Sequence, residues 1–531
     1  MGFGAEEDRL LREKGKAATG CGRASEVAAA RSEVAARAKW PQPGNAQRIH
    51  PKIFPLTLVR CARPAATRYP LTLASTSEVG QKKKEDNFIL IKRGVLKKMT
   101  MIKGCSRREL IGDIKVEIHD DPIIAEEMVE ALANKYDSED VHNSLSSVDV
   151  KRMSVEIDDA FLLINLDALL ERFKLWKREL PHVEPFYAVK CNTDVTMLRV
   201  LAALGVNFDC ASKQEIDIVL SIGVDPSRII YANPCKTRAF IKLMTFDNAE
   251  ELEKIQELHN SARLVPRIAV SDPTATCPLN LKFGADPVHA APKLLAKAKQ
   301  MGVNVEGISF HVGSGCNDCS AYEIAIAHAR RLFDLGEAMG HHMNFLDLGG
   351  GFPGGKHHIA FEQISAVISG ALCRYFPDPA VRVVAEPGRF FAARPFTLCA
   401  NVIHSTAVNA ERITHNDKDI GSKGMMYYLN DGVYGSFNCI LFDHVHPKGH
   451  PLRPKEGAEA VMSTIWGPTC DSLDQIEDKK MMEEMSTGDW IVYPEMGAYT
   501  SAASTTFNGF QRPIAIYAIS QANWETIADL L

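Results

Sequence analysis

Lys190 closes the run Pro185-Phe186-Tyr187-Ala188-Val189-Lys190, an apolar, strand-forming stretch that ends in an amine. A strand of this kind buries its length and presents its carboxyl end, where barrels and open α/β sheets carry their chemistry. An amine there is partly desolvated and nucleophilic toward an aldehyde, which makes imine formation the chemistry it suggests. A solvated lysine capping a strand gives the same hexapeptide, so the choice rests on what else converges on it.

Two further motifs do. Asp347-Leu348-Gly349-Gly350-Gly351-Phe352-Pro353-Gly354-Gly355 is a glycine loop after a strand, suited to turning backbone N–H groups toward a phosphate. Glu386-Pro387-Gly388-Arg389 offers a carboxylate and a guanidinium within four residues. A surface ion pair would look the same, but a pyridoxal phosphate site would use the carboxylate to keep the pyridine nitrogen protonated and the arginine to hold phosphate. Cys316-Asn317-Asp318-Cys319 has zinc or redox spacing, yet no second pair completes a site, and no metal is expected. The doublets His341-His342 and His357-His358 are expected in solvated loops.

The elements that must position these groups follow from an alternation of apolar runs with helical stretches. The runs are Phe186 to Val189, Asn207 to Cys210, Arg228 to Ala232, Leu243 to Phe246, Leu264 to Val270, Gly307 to Val312, Asn344 to Leu348 and Arg382 to Ala385. Between them, segments such as Tyr322 to Phe333 repeat apolar residues every three to four positions. Eight runs suggest an α/β fold of the (β/α)8 TIM barrel type, where chemical groups gather at the strands' carboxyl ends. Lys190, Asp209, Arg267, His311, Gly349 to Gly351 and Glu386 all fall in or just after such runs. Beyond about Arg394 the pattern turns to strands and turns, with helical periodicity surviving only in the glutamate-rich stretch near residue 480. The expected organisation is a basic, disordered extension over 1–110, a segment over 111–160 that packs with the β domain, the barrel over 161–394, and a C-terminal β-rich domain over 395–531.

With 531 residues, 46% of them hydrophobic and 24% charged, the chain has the composition of a globular protein of two or three domains. No apolar run approaches the roughly eighteen residues that cross a bilayer, so neither a membrane span nor a membrane partner is expected. Thirteen cysteines without a framework suit buried thiols in a reducing, cytoplasmic setting. The net charge of −5 hides a basic leader, which holds more than twice as many Lys and Arg as Asp and Glu up to residue 110. It lacks the interleaved aromatics of a nucleic-acid arm, and no nucleic-acid partner is expected. Its Ala, Arg and Ser content resembles a transit peptide while Glu6-Glu7-Asp8 does not, which leaves organellar targeting open.

Pro185 to Asn192, Phe208 to Ser212, Asn233 to Lys236, Ser309 to Cys316, the glycine loop, Ala385 to Arg389 and Trp466-Gly467-Pro468-Thr469-Cys470-Asp471 together resemble the fold-type III, pyridoxal-phosphate-dependent decarboxylase family. The likeness spans roughly residues 150 to 515, and Cys470-Asp471 is similar to its eukaryotic ornithine branch rather than its diaminopimelate branch. It implies a C-terminal β-barrel of the alanine-racemase type beside the TIM barrel, and a carboxy-lyase that turns L-ornithine into putrescine and carbon dioxide. By this resemblance Lys190 would hold the cofactor, Glu386 would pair with its ring nitrogen, and His311 would stack on the ring. Ser314, Gly349, Gly350, Gly351, Arg389 and Tyr499 would bind phosphate, while Asp209, Glu215 and Arg267 would form a polar shell.

The same resemblance makes Cys470 the acid that returns a proton to the reacting carbon. Asp443 and Asp471 would take the substrate's distal ammonium, and Phe507 would line the pocket. It also implies a homodimer with shared active sites, Cys470, Asp471 and Phe507 reaching across, a Lys282–Asp474 link between subunits, and Gly497 at a close approach. An antizyme-type regulator is a further partner of such enzymes. A lysine/ornithine enzyme giving cadaverine, and an inactive regulatory homologue, are the alternatives.

Three departures stand out. Only about ten residues separate Ala232 from Leu243, fewer than a parallel crossover needs. Pro266 interrupts the fifth strand just before Arg267, which puts the orientation of that arginine in doubt, and Phe442 stands where the family has tyrosine. The short connection uncovers part of a barrel wall and predicts a melting temperature below the roughly 45–65 °C of mesophilic domains, which differential scanning calorimetry of the full chain would measure.

Overall fold

The structure is a computed structural model that describes residues 105–111, 114–119, 159–235, 243–258, 262–270, 275, 279–355 and 359–531. The basic leader up to residue 104 and residues 236–242 of the short connection lie outside them.

Eight parallel strands form one curled sheet: β1 (Val183–Ala188), β2 (Asn207–Asp209), β3 (Ile229–Ile230), β4 (Leu243–Phe246), β5 (Arg263–Ile268), β6 (Gly307–Phe310), β7 (Phe345–Asp347) and β8 (Arg382–Ala385). Their hydrogen-bonded order is β3-β2-β1-β8-β7-β6-β5-β4, the order of a TIM barrel cut between β3 and β4. Strand periodicity divides their side chains. Phe186, Ile230, Val265, Phe345 and Val384 meet inside with Ala232, while Tyr187, Phe208, Leu264, Ile308 and Leu346 face the larger core beneath the helices. The cut coincides with the short third connection. No regular ladder joins β3 to β4 among the described residues, and Thr245 N–H to Tyr231 O, 3.4 Å, crosses the seam.

The helices are amphipathic and capped where the sequence has side chains to do it. The helix Leu166–Glu179 starts at Asn165, whose Oδ1 accepts Asp167 N–H (2.9 Å) and Ala168 N–H (3.3 Å). Its Trp176 packs edge-on against Phe352 and Phe390 and stacks on Phe361, while its indole N–H donates to Val183 O at 2.9 Å. Arg172, nearly buried in the same helix, donates to Phe390 O (3.0 Å) and Pro353 O (3.1 Å). One guanidinium thus ties the glycine loop to the turn that carries Arg389.

The remaining described strands build a ten-stranded mixed sheet. Phe161–Asn165 pairs antiparallel with Phe396–Asn409 and parallel with Ile514–Ser520, which in turn pairs parallel with Ile114–His119. The chain therefore passes through this sheet before it enters the barrel and returns to it afterwards. Four expectations change. Phe161–Asn165 belongs to the second sheet rather than the barrel, and Cys105–Ile111, which starts inside the stretch 1–110 expected to be a disordered extension, is a strand paired with Ile114–His119. The glutamate-rich stretch near 480 is the strand Gln475–Glu483, because pairing with Ala460–Trp466 overrides its helical pattern. His341, expected in solvent, is buried, its ring bridging Val305 N–H (3.3 Å) and Leu295 O (3.0 Å). His342 is exposed and His357-His358 lie outside the described residues.

Polar clamps lock the barrel to the sheet. Asp167 accepts Ser520 Oγ–H (2.9 Å) and Asn523 Nδ2–H (2.8 Å), and Tyr517 O–H donates to Asp194 Oδ2 at 2.6 Å. Asp194 also caps the helix Val195–Ala203 through Met197 N–H, 2.8 Å. Tyr517→Phe removes a donor from a half-buried carboxylate, and is expected to lower unfolding free energy by about 1–2 kcal/mol in urea titrations of the full chain.

Candidate active site

β1 ends at Ala188, and a single 3-10 turn, Val189–Cys191, swings Lys190 off the strand end into the cleft. Its side chain is 40% exposed, and Nζ lies 2.5 Å from Oδ2 of Asp209, the wholly buried last residue of β2. Burial opposes the ammonium, but Asp209, then Glu386 and Tyr499, outweigh it and hold the Lys190 pKa above its ordinary value. Asp209 Oδ1 is buried without a hydrogen-bond partner, a free acceptor at the floor of the cleft.

Opposite, Glu386 follows β8 and is nearly buried, its N–H donating to Gly349 O at 2.6 Å. Burial, then Asp347 and Asp209, push its carboxyl well above the usual range. Asp347, the last residue of β7, is also buried, and accepts Ser309 Oγ–H and Gly349 N–H, both at 2.9 Å. The two carboxyls are in hydrogen-bonding contact, and burial raises Asp347 as well as Glu386. Asp347 stood in the glycine-loop motif without a role, because pairing with Glu386 needs β7 and β8 side by side.

His311, one residue past β6, accepts Gly313 N–H on Nδ1 at 3.0 Å, which leaves the ring proton on Nε2. Desolvation, then Arg267 and Lys190, hold its pKa well below the usual histidine value. The glycine loop lies directly against it. A Cβ on Gly349 would stand 2.1 Å from Phe310 O, one on Gly350 2.7 Å from His311 Nε2, and one on Gly351 2.8 Å from Tyr322 Oη. Only glycine fits this loop, at φ +63° and +112° for Gly349 and Gly351.

Arg389 extends toward Ser314 Oγ (3.4 Å) and places Nη2 2.8 and 2.6 Å from the two oxygens of Asp443, which is nearly buried. Its guanidinium also lies 5.3 Å from the ring centre of Tyr499. Tyr499 has a left-handed backbone, φ 55°, held by its N–H to Cys191 O at 3.0 Å. Arg267 is buried, its guanidinium over Phe283 at 5.5 Å. Pro266 leaves the register intact, since Arg267 still pairs with Ser309 of β6. Glu215 spends one oxygen on Ala211 N–H at 2.7 Å and takes its place through the cap at Ser212 (Glu215 N–H to Oγ, 3.3 Å), so it holds the loop after β2.

Cys470, Asp471 and Phe507 lie apart from this group. Cys470 is exposed, Asp471 accepts the Tyr434 hydroxyl, and Phe507 stacks on the Tyr434 ring at 4.4 Å. No hydrogen bond or ion pair of the described residues joins any of the three to Lys190, Glu386 or Arg389 within one chain. Tyr434 carried no signal in the sequence beyond a glycine-flanked aromatic. Asp474 is buried and accepts Val433 N–H (2.8 Å) and Thr469 Oγ1–H (2.6 Å), while Lys282 is exposed. A Cβ on Gly497 would meet Ala392 O at 1.8 Å, so its close approach is to its own chain.

The amine, the paired carboxyls, the glycine cradle and the arginine are the donor set that pyridoxal phosphate requires, and the unpartnered Asp209 oxygen leaves an acceptor for it. The family profile described as "Pyridoxal-dependent decarboxylase, pyridoxal binding domain" matches residues 166–393. "Ornithine decarboxylase" of Caenorhabditis elegans is 62% identical over 382 residues, 70% of this chain and 90% of that protein. The chain belongs to the ornithine decarboxylase branch of the pyridoxal-dependent decarboxylase family. Another member, "Antizyme inhibitor 2" of Xenopus laevis, is 46% identical over 382 residues, 70% of this chain and 83% of its own length. The crystal structure of a lysine/ornithine decarboxylase complexed with cadaverine from Vibrio vulnificus superposes with a TM-score of 0.61 at 31% identity, covering 70% of this chain and 99% of that one.

Within this decarboxylase cleft the neutral His311 makes a pH prediction. Its folded pKa is depressed, so between that value and about 6.5 the unfolded chain binds a proton that the folded chain does not. Unfolding free energy therefore falls as pH drops below about 6.5. His311→Gln should remove up to about 1.4 kcal/mol per pH unit of that slope in urea titrations between roughly pH 5 and 7.

Proposed function

We propose that this chain decarboxylates L-ornithine to putrescine and carbon dioxide with pyridoxal phosphate. The observation that carries the reading is Lys190 bonded to Asp209 in one cleft with a hydrogen-bonded Glu386–Asp347 pair, a cradle only glycine can form, and Arg389. When bound, pyridoxal phosphate supplies an electron sink for the pair of electrons left as carbon dioxide departs.

The chain's own groups divide the remaining work. Lys190 Nζ would hold the cofactor, and Asp209 is the acceptor placed to take a proton from that amine. Ser314, Gly349, Gly350, Gly351, Arg389 and Tyr499 would bind phosphate. Glu386 would hold a proton on the pyridine nitrogen, with Asp347 hydrogen-bonded to its carboxyl from behind. His311, neutral and pressed against Gly350, would cover the ring face, with Arg267 and Glu215 fixing the shell behind it. Asp443 would bind the substrate's distal ammonium.

Cys470, Asp471 and Phe507 contact none of these groups in their own chain, which supports a homodimer in which each chain completes its partner's site. Cys470 would then protonate the carbon that loses carbon dioxide, and Asp471, oriented by Tyr434, would share the distal ammonium with Asp443. Phe442, Leu473 and Phe507, all substantially exposed, supply apolar surface for such a contact. Nine of the described cysteines, Cys191 to Cys470, are free, in keeping with a reaction in the cytoplasm. Likeness to an antizyme inhibitor makes an antizyme-type regulator the protein partner to seek.

Carbon dioxide release from L-ornithine and L-lysine by the full chain with pyridoxal phosphate, beside Lys190→Ala, tests the reading. Ornithine should be preferred by about 10- to 200-fold in kcat/KM, the range one methylene allows, and the variant should be inactive. Mixing Lys190→Ala with Cys470→Ala should restore release that neither variant shows alone. Release from neither substrate would replace the enzyme with a regulatory homologue.

A further inference from the structure

The Arg389–Asp443 ion pair joins two residues that the functional reading assigns to opposite ends of the bound molecules. Arg389 serves the phosphate and Asp443 the distal ammonium, yet they are bonded to each other. Nη2 of Arg389 lies 2.8 and 2.6 Å from the two Asp443 oxygens and 3.4 Å from Ser314 Oγ, so one nitrogen faces both the carboxylate and the phosphate cradle. The side chains are only 19% and 8% exposed. Asp443 is set at that point by the short helical turn Cys439–Phe442, with its N–H on Cys439 O at 3.0 Å, and by the left-handed residue His444 that follows.

Breaking a buried ion pair from one side leaves the other charge uncompensated, which is strongly unfavourable. A phosphate arriving alone draws Arg389 away from Asp443 and leaves the carboxylate without its cation. An ammonium arriving alone at Asp443 does the reverse. When both arrive, partners are exchanged and every charge remains matched. We infer that the Arg389–Asp443 pair couples the phosphate cradle to the diamine pocket, so that an anion in one and a cation in the other raise each other's affinity. The coupling rests on the assignment of this cleft to pyridoxal phosphate and a diamine, and it makes Asp443 fully available to the substrate only after phosphate is anchored.

The test uses the full chain freed of cofactor, with inorganic phosphate and putrescine as probes in titration calorimetry. Saturating phosphate should tighten putrescine binding by about tenfold, and putrescine should tighten phosphate by the same factor, because coupling is reciprocal. Asp443→Asn should bind phosphate several-fold more tightly than the parent chain and lose the coupling. Asp471→Asn, which removes a carboxylate that within its own chain is bonded to Tyr434 and not to Arg389, should leave phosphate affinity within about twofold and separates release of the pair from general loss of negative charge. Putrescine affinity indifferent to phosphate, or coupling that survives Asp443→Asn, overturns the inference. If the chain nonetheless develops the absorption band of a cofactor–lysine adduct with pyridoxal phosphate, the proposed function stands without it. Absence of that band together with no putrescine binding overturns both.

Discussion

Buried charge in this cleft is matched by buried charge, and the rest of the site depends on the Lys190–Asp209 contact that does it first. Asp209 sits wholly buried at the end of β2, and Lys190 reaches it only because β1 and β2 are adjacent and in register, Ala188 opposite Asp209. A register slip of one residue would turn Asp209 toward the helices and strand a carboxylate in an apolar layer. Side chains that alternate cleanly between the barrel interior and the helix-covered face are what prevent that slip.

The same rule, that no ionised group stays deep without a partner or a proton, orders the other side of the cleft. Glu386 and Asp347 share a hydrogen-bonding contact, and burial holds both carboxyls above the usual range. Arg389 and Asp443 neutralise each other across the boundary between barrel and sheet. Arg172 binds two backbone carbonyls, one after the glycine loop and one beside Arg389, so the phosphate cradle and its arginine move as one piece. The polar clamps at Asp167 and Asp194 fix the sheet that delivers Asp443 and Tyr499 to the barrel mouth.

The seam at the shortened third unit lies away from most of this machinery, Asp209 and Arg267 excepted. β3 and β4 flank the seam, whereas Lys190, His311, the glycine loop and Glu386 follow β1, β6, β7 and β8, whose ladders are continuous. Asp209 and Arg267 each lie one strand from the seam, Asp209 paired with Ile230 of β3 and Arg267 on the strand between β4 and β6. The Lys190–Asp209 contact is kept beside the seam by the β1–β2 and β2–β3 ladders.

Much of this was legible in the residues themselves. Strand-length apolar runs at regular spacing specify the eight strands, and glycine, lysine and glutamate at their carboxyl ends specify where chemistry gathers, because periodicity and backbone permissiveness are local properties of the chain. Local pattern misled where tertiary pairing overrode it: Gln475–Glu483 reads as a helix but is captured by a neighbouring strand, and Phe161–Asn165 joins a sheet whose partners lie more than 230 residues away. The contacts that set protonation and pairing were decided only by the fold. Asp347 meets Glu386, Arg389 meets Asp443 and Tyr434 meets Asp471 across 39, 54 and 37 positions of sequence. Nothing in a linear string encodes the distance between two side chains, and it is distance and burial together that decide whether a carboxyl is charged, shared or spent.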